Sequence, residues 1–159
     1  MIRVCFVCLG NICRSPTAAG VMRHLVQAMG LESSVEVESA GTSGYHQGEA
    51  PDARARAAGA RRKMTISGAA RQFQRSDFDR FDYVLAMDRD NYDHLAALAP
   101  AAVNHKLFLL RRFDSASPRD AAVPDPYYGG EAEFDEVVEL CVVACRGLLD
   151  HIQREHALR

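Results

Sequence analysis

The stretch Ile2-Arg3-Val4-Cys5-Phe6-Val7-Cys8-Leu9-Gly10-Asn11-Ile12-Cys13-Arg14-Ser15-Pro16 decides the fold. Ile2 to Val7 is a short apolar run rich in β-formers, the pattern of a strand covered on both faces. It passes directly into a loop with Gly10 and Asn11, then into Ser15-Pro16. Serine followed by proline reads as a helix cap with proline in the first turn. A buried strand, a tight loop and a helix start in one short span predict the opening unit of a parallel sheet.

The rest of the chain repeats that alternation. Val21, Met22, Leu25, Val26 and Met29 recur at helical spacing until Gly30. Val35 to Ala40 alternates as a second strand stopped by Gly41, and Pro51-Asp52 opens an Ala- and Arg-rich helix ending near Gly59. Phe81 to Met87 reads as a third strand, followed by a helix from Asp88 or Arg89 to about Leu98, and Lys106 to Leu110 as a fourth strand. A proline-bearing polar loop leads to a long amphipathic helix, Ala132 to His151. The expectation is one α/β domain over residues 1–159, a parallel sheet with helices on both faces. Such sheets bind ligands at the carboxyl ends of their strands, which is where Cys8 falls.

Bulk properties narrow the function. A chain of 159 residues can bury a core without a disulfide or metal staple. The net charge of −2 gives no electrostatic footprint for nucleic acid or a membrane surface. The apolar opening stops at Gly10, too short for a secretory signal, and no run approaches a membrane span. Five cysteines, an odd number, imply free thiols in a reducing compartment, and the cytoplasm is the expected location.

Between Cys8 and Arg14 lies a loop whose backbone amides can turn inward on one tetrahedral anion. Gly10 and Asn11 are residue types that tolerate the left-handed backbone such a nest requires. Arg14 offers a planar fork for two phosphoryl oxygens. The same positive field favours the thiolate of Cys8, the nucleophilic form. Ser15 can donate a hydrogen bond to that sulfur. A lone cysteine is more often a small buried hydrophobe, and a bare Cys-x5-Arg spacing occurs by accident. Its position after a buried strand, with Gly, Asn, Ser and Pro around it, is what makes the chemical reading the better one.

Expelling a phenolate from an aryl phosphate needs a proton donor, because phenol is a weak acid. Asp125, in Val123-Pro124-Asp125-Pro126-Tyr127-Tyr128, is the candidate, its backbone restrained by proline on both sides. Prolines around aspartate also make ordinary turns. The paired tyrosines tilt the reading towards a cleft wall for a flat ring.

Val7 to Pro16, Ser39-Ala40-Gly41-Thr42, Ala70-Arg71-Gln72, Phe81-Asp82-Tyr83 with Met87-Asp88, and Asp125-Pro126-Tyr127-Tyr128-Gly129 together resemble the low-molecular-weight protein tyrosine phosphatase family, in its order and length. The resemblance implies a four-stranded parallel sheet with a phosphate-binding loop after strand 1. It implies Cys8 as nucleophile, Arg14 as phosphate clamp, and Asp125 as general acid and then base. Leu9, Gly10, Asn11, Ile12, Cys13 and Ser15 would form the substrate loop, with Ser39 and Tyr128 in support. Tyr45 and Tyr127 would wall the cleft. His46 beside Tyr45 reads more simply as an exposed loop histidine. Cys13 holds the family's second-cysteine position, where a disulfide with Cys8 and plain packing are both open readings. One departure stands out: where many members carry a histidine before Ala70, this chain has Ser67-Gly68-Ala69, so support of the loop must be rearranged.

The expected reaction is hydrolysis of protein phosphotyrosine and small aryl phosphates through a phosphocysteine, with no cofactor and no metal. The expected partners are tyrosine-phosphorylated proteins and a cognate tyrosine kinase, not nucleic acid or membrane, for a monomer or weak dimer. Arsenate reduction on this fold needs further mid-chain cysteines, and none lies between Cys13 and Cys141. Arginine phosphatases of this type look to carry threonine where Ile12 stands. A non-catalytic phosphotyrosine-binding module would need neither Cys8 nor Asp125, and no Gly-x-Gly-x-x-Gly follows the first strand.

Overall fold

The computed structural model describes residues 1–158. Four strands, β1 (Ile2–Cys8), β2 (Val35–Gly41), β3 (Tyr83–Ala86) and β4 (Leu107–Leu109), form one parallel sheet in the order β2-β1-β3-β4. The first strand is internal to the sheet, which is why it is apolar and buried from Val4 to Cys8, with only Ile2 and Arg3 less covered at its start. Val4, Phe6 and Cys8 face one side and Cys5 and Val7 the other, as the two-residue period of a strand requires.

Helices α1 (Arg14–Ala28), α2 (Ala53–Arg61) and α5 (Glu131–Glu155) cover the first face. Met22, Phe134, Val138, Cys141, Cys145 and Leu148 pack there against Val4 and Phe6. The second face is closed by α3 (Asp77–Arg80) and α4 (Arg89–Leu98), through Phe78, Leu95 and the flanking Phe73 and Phe81. Among the described residues no helix is long and apolar enough to cross a membrane.

Two helix expectations change, and three short elements are added. Helix α1 begins at Arg14 with Cys13 at the cap position, so Ser15 lies inside the first turn. A capping serine must offer its oxygen to an amide two or three residues on, but the Ser15 hydroxyl is engaged with Cys8, Asn11 and Ala40. The last helix runs on to Glu155, because Leu148, Leu149 and Ile152 continue its buried stripe. The one-turn α3 and the 3-10 turns at Ala101–Lys106 and Leu110–Phe113 are too short to show a period in sequence.

Candidate active site

Strand β1 delivers Cys8 to the carboxyl edge of the sheet, and α1 starts six residues later. Between them the chain folds back on itself, and the turn is made at Asn11, whose φ is 58°. Asparagine bears a left-handed backbone at low cost. Gly10, expected to share that conformation, does not. Its missing side chain matters for space instead, since a Cβ there would lie 3.0 Å from the His46 ring. Gly41 at the end of β2 has the same function, as a Cβ would press 2.7 Å against the Leu9 carbonyl. That close approach lets Thr42 and Ser43 donate amides to the carbonyls of Cys8 and Leu9.

The loop is locked from behind by Asn11. Its Nδ2 donates to the hydroxyls of Ser15 (2.8 Å) and Ser39 (2.9 Å), and its Oδ1 accepts from the Arg71 amide (3.0 Å). The Arg71 backbone thus supports Asn11 just after Ser67-Gly68-Ala69, where Gly68 has φ 111° and a Cβ would meet nothing within 4 Å. Asn11 and Ser15 were expected to line the substrate site. Their side chains are instead buried behind the cleft, hydrogen-bonded to each other and to the loop's supports, while the Asn11 backbone amide turns towards the Cys8 sulfur.

The Cys8 sulfur sits at the floor. The Asn11 amide donates to it at 3.3 Å and the Ser15 hydroxyl lies 3.0 Å away. Arg14, 4% exposed, donates from Nη1 to Asp88 Oδ2 (2.6 Å) and to the Val123 carbonyl (3.1 Å), while Nη2 lies 3.8 Å from Asp125 Oδ2. Burial works against its charge, but Cys8, Asp88 and Asp125 outweigh that and hold the guanidinium above the usual arginine range. Cys13 borders the same cleft, yet desolvation, with Asp52 and Cys8 nearby, pushes its thiol up to about 12. Cys141 and Cys145 are buried on the inner face of α5.

Above the floor opens a cleft of ≈460 Å³ lined by Cys8, Leu9, Gly10, Ile12, Cys13, Arg14, Ser43, Tyr45, His46, Asp125, Tyr127 and Tyr128. Tyr45 and Tyr127 stand on its rim, and Tyr128, 98% exposed, borders the opening with its ring edge-on to Tyr127 at 5.0 Å. His46 also faces the cleft, contrary to expectation, with its ring edge-on to Tyr45 and 2.9 Å from Glu49 Oε2. The Asp125 carboxylate is half exposed and accepts from the Tyr127 amide at 3.1 Å. Among the described residues no cluster of His, Cys, Asp or Glu suited to a metal ion occurs.

Sequence reading missed Asp88 as a partner of Arg14. Its signal was available: it follows β3 at the same carboxyl edge as Cys8, and it also caps α4 by accepting from the Asn91 amide (2.8 Å). A thiol and a guanidinium in an anion loop, with a carboxylate across the opening, are the equipment of a cysteine-dependent phosphatase.

The comparisons with known proteins agree. The family model for low molecular weight phosphotyrosine protein phosphatases matches residues 3–158, and the chain belongs to that family. It is 46% identical over 155 residues to a low molecular weight protein-tyrosine-phosphatase of Streptomyces coelicolor, covering 96% of this chain and 94% of the relative. Another relative, from Bacillus subtilis, is 41% identical over 160 residues, covering 99% of this chain and all of the relative. A crystal structure of an Entamoeba histolytica protein tyrosine phosphatase superposes with a TM-score of 0.92 at 39% identity, covering 99% of each chain.

Proposed function

We propose that the whole chain acts as one catalytic domain that hydrolyses protein phosphotyrosine and small aryl phosphates through a phosphocysteine on Cys8. The observation that carries the reading is the sulfur of Cys8 held by an amide and a hydroxyl on the floor of a cleft that the buried Arg14 and the half-exposed Asp125 also line.

The dianionic phosphoryl group settles in the nest of loop amides between Leu9 and Arg14, two of its oxygens on the guanidinium. Asp88 and the Val123 carbonyl fix that guanidinium before substrate arrives, so no reorganisation is needed as charge builds. The Cys8 thiolate attacks phosphorus in line, the bond to the phenolic oxygen breaks, and Asp125 passes its proton to that oxygen. In the second step ionised Asp125 takes a proton from water as the water attacks phosphorus, and the S–P bond breaks to regenerate the thiolate.

Ser15 adjusts between these states. Its oxygen accepts from Asn11 and lies within reach of both the Ala40 carbonyl (3.2 Å) and the sulfur (3.0 Å). A neutral thiol can donate to Ser15 while the hydroxyl donates to Ala40. When sulfur is anionic, the hydroxyl proton turns towards it and stabilises it as nucleophile and as leaving group.

Ile12 on the cleft wall and the rim tyrosines Tyr45 and Tyr127 suit a flat aryl group. Tyrosine-phosphorylated proteins are the implied partners, and the five free thiols favour a reducing, cytoplasmic setting. The test is one panel of phosphotyrosine, phosphoserine and phosphoarginine peptides, with arsenate plus thioredoxin beside them. Turnover of phosphotyrosine well above the others is expected, and preference for phosphoarginine or arsenate would overturn the reading.

A further inference from the structure

The loop that carries Asp125 is held to the rest of the protein at few points. Val123 donates its amide to the Met87 carbonyl upstream, and Glu133 accepts from Gly130 downstream. For residues 124–128, the hydrogen bond to another element among the described residues comes from Arg54 on α2, whose Nη1 donates to the Tyr127 carbonyl at 2.9 Å. That residue's own amide is the one donating to the Asp125 carboxylate. The Arg54 guanidinium also lies over the Tyr127 ring (5.4 Å) and the Phe134 ring (4.5 Å), so both the backbone and side chain of Tyr127 rest on it.

Arg54 is itself fixed. Its Nε and Nη2 donate to the two oxygens of Asp52 at 3.0 and 2.9 Å, a bidentate pair that sets the plane of the fork. Asp52 caps α2 by accepting from the Arg54 amide, and its own amide donates to the Ile12 carbonyl (2.8 Å). A continuous chain of contacts thus runs from the phosphate loop at Ile12, through Asp52 and Arg54, to the loop bearing the carboxylate. Arg54 does not border the cleft.

We infer that Arg54 is a positioning residue for leaving-group protonation: it holds the Asp125 loop in register with the phosphate loop, an inference that rests on Asp125 being the general acid. A carboxylate displaced by a fraction of an ångström still binds nothing worse, but it meets the departing oxygen less often.

The test compares kcat/KM for phenyl phosphate and p-nitrophenyl phosphate in wild type, R54A, R54K, D125A and R54A/D125A, with inorganic phosphate as a competitive inhibitor. R54A should lose about 10-fold or more on phenyl phosphate and far less on p-nitrophenyl phosphate, whose leaving group needs little protonation. Phosphate inhibition should be unchanged, and the double variant no slower than D125A. R54K keeps one donor for the Tyr127 carbonyl and should recover part of the loss, which also covers failure of R54A to fold. Equal losses on both substrates in R54A and R54K, weaker phosphate binding, or losses that multiply with D125A would overturn the role of Arg54. Should D125A itself show no leaving-group dependence, the acid assignment fails first.

Discussion

The two loops that meet at the cleft are built on opposite plans. The loop from Cys8 to Ser15 exposes Leu9 but buries Cys8, Asn11, Arg14 and Ser15, and hydrogen bonds with β2 and the Arg71 backbone lock it from behind. The loop from Pro124 to Tyr128 stands in solvent, with Asp125 half exposed and Tyr128 almost wholly so. The difference follows from the tasks. An anion nest works only if its dipoles are set before the charge arrives. A proton donor must instead reach an oxygen that enters and leaves with each substrate. Damage to the first loop should therefore cost both stability and chemistry, and damage to the second chemistry alone.

The largest effect should come from Cys8→Ser, which removes the nucleophile but leaves the nest. Turnover of an aryl phosphate should fall to background while inorganic phosphate still binds, as read by kinetics and calorimetry; substantial remaining turnover would refute the assignment. Asp125→Ala should lower kcat/KM for phenyl phosphate by about 10²–10⁴, and much less for p-nitrophenyl phosphate. Its denaturation midpoint should barely move, because surface changes cost within about 0.5 kcal/mol. Asn11→Ala reverses that profile. It removes three hydrogen bonds and should cost roughly 3 kcal/mol at about 1 kcal/mol each, seen as a lower midpoint together with reduced kcat/KM. If Asn11→Ala leaves stability intact, the contrast between the loops is wrong.

A smaller effect concerns the buried thiols. Cys13 and Cys141 are both pushed up to about 12 by desolvation, from an ordinary value of 9.0. Raised folded-state values mean that the stability these neutral thiols lend is complete below about pH 9 and declines as the pH climbs towards 12. Chemical denaturation across that window should show the decline, and Cys141→Ala should flatten it. Loss of stability on the acid side alone would contradict this origin.

Much of this architecture was legible in the sequence, for physical reasons. The apolar run before Cys8 reports burial on both faces, and helical spacing marks α1 and α5, so layers and sheet could be read directly. That Cys8, Arg14 and Asp125 would border one cleft was legible because the first two bracket the loop after a buried strand and the third sits in a proline-braced loop before the last helix. What stayed hidden depends on contacts between distant segments. Asp88 meets Arg14 only because β3 lies beside β1 in the sheet. Ser15 looks like a cap by local rule, and only the neighbouring β2 carbonyl and the Cys8 sulfur show why it is not. Gly68 in place of a histidine gave no hint that the Arg71 backbone would serve Asn11.

The central claim is a covalent phosphoryl–cysteine step at the locked loop, completed by the exposed one. Acid-quenching the enzyme milliseconds after mixing with a labelled aryl phosphate, followed by peptide mapping, tests it most directly. A phosphoenzyme should be trapped on the peptide containing Cys8, and should be absent in Cys8→Ser. Full turnover with no trapped phosphoenzyme, or label on another residue, would contradict the account.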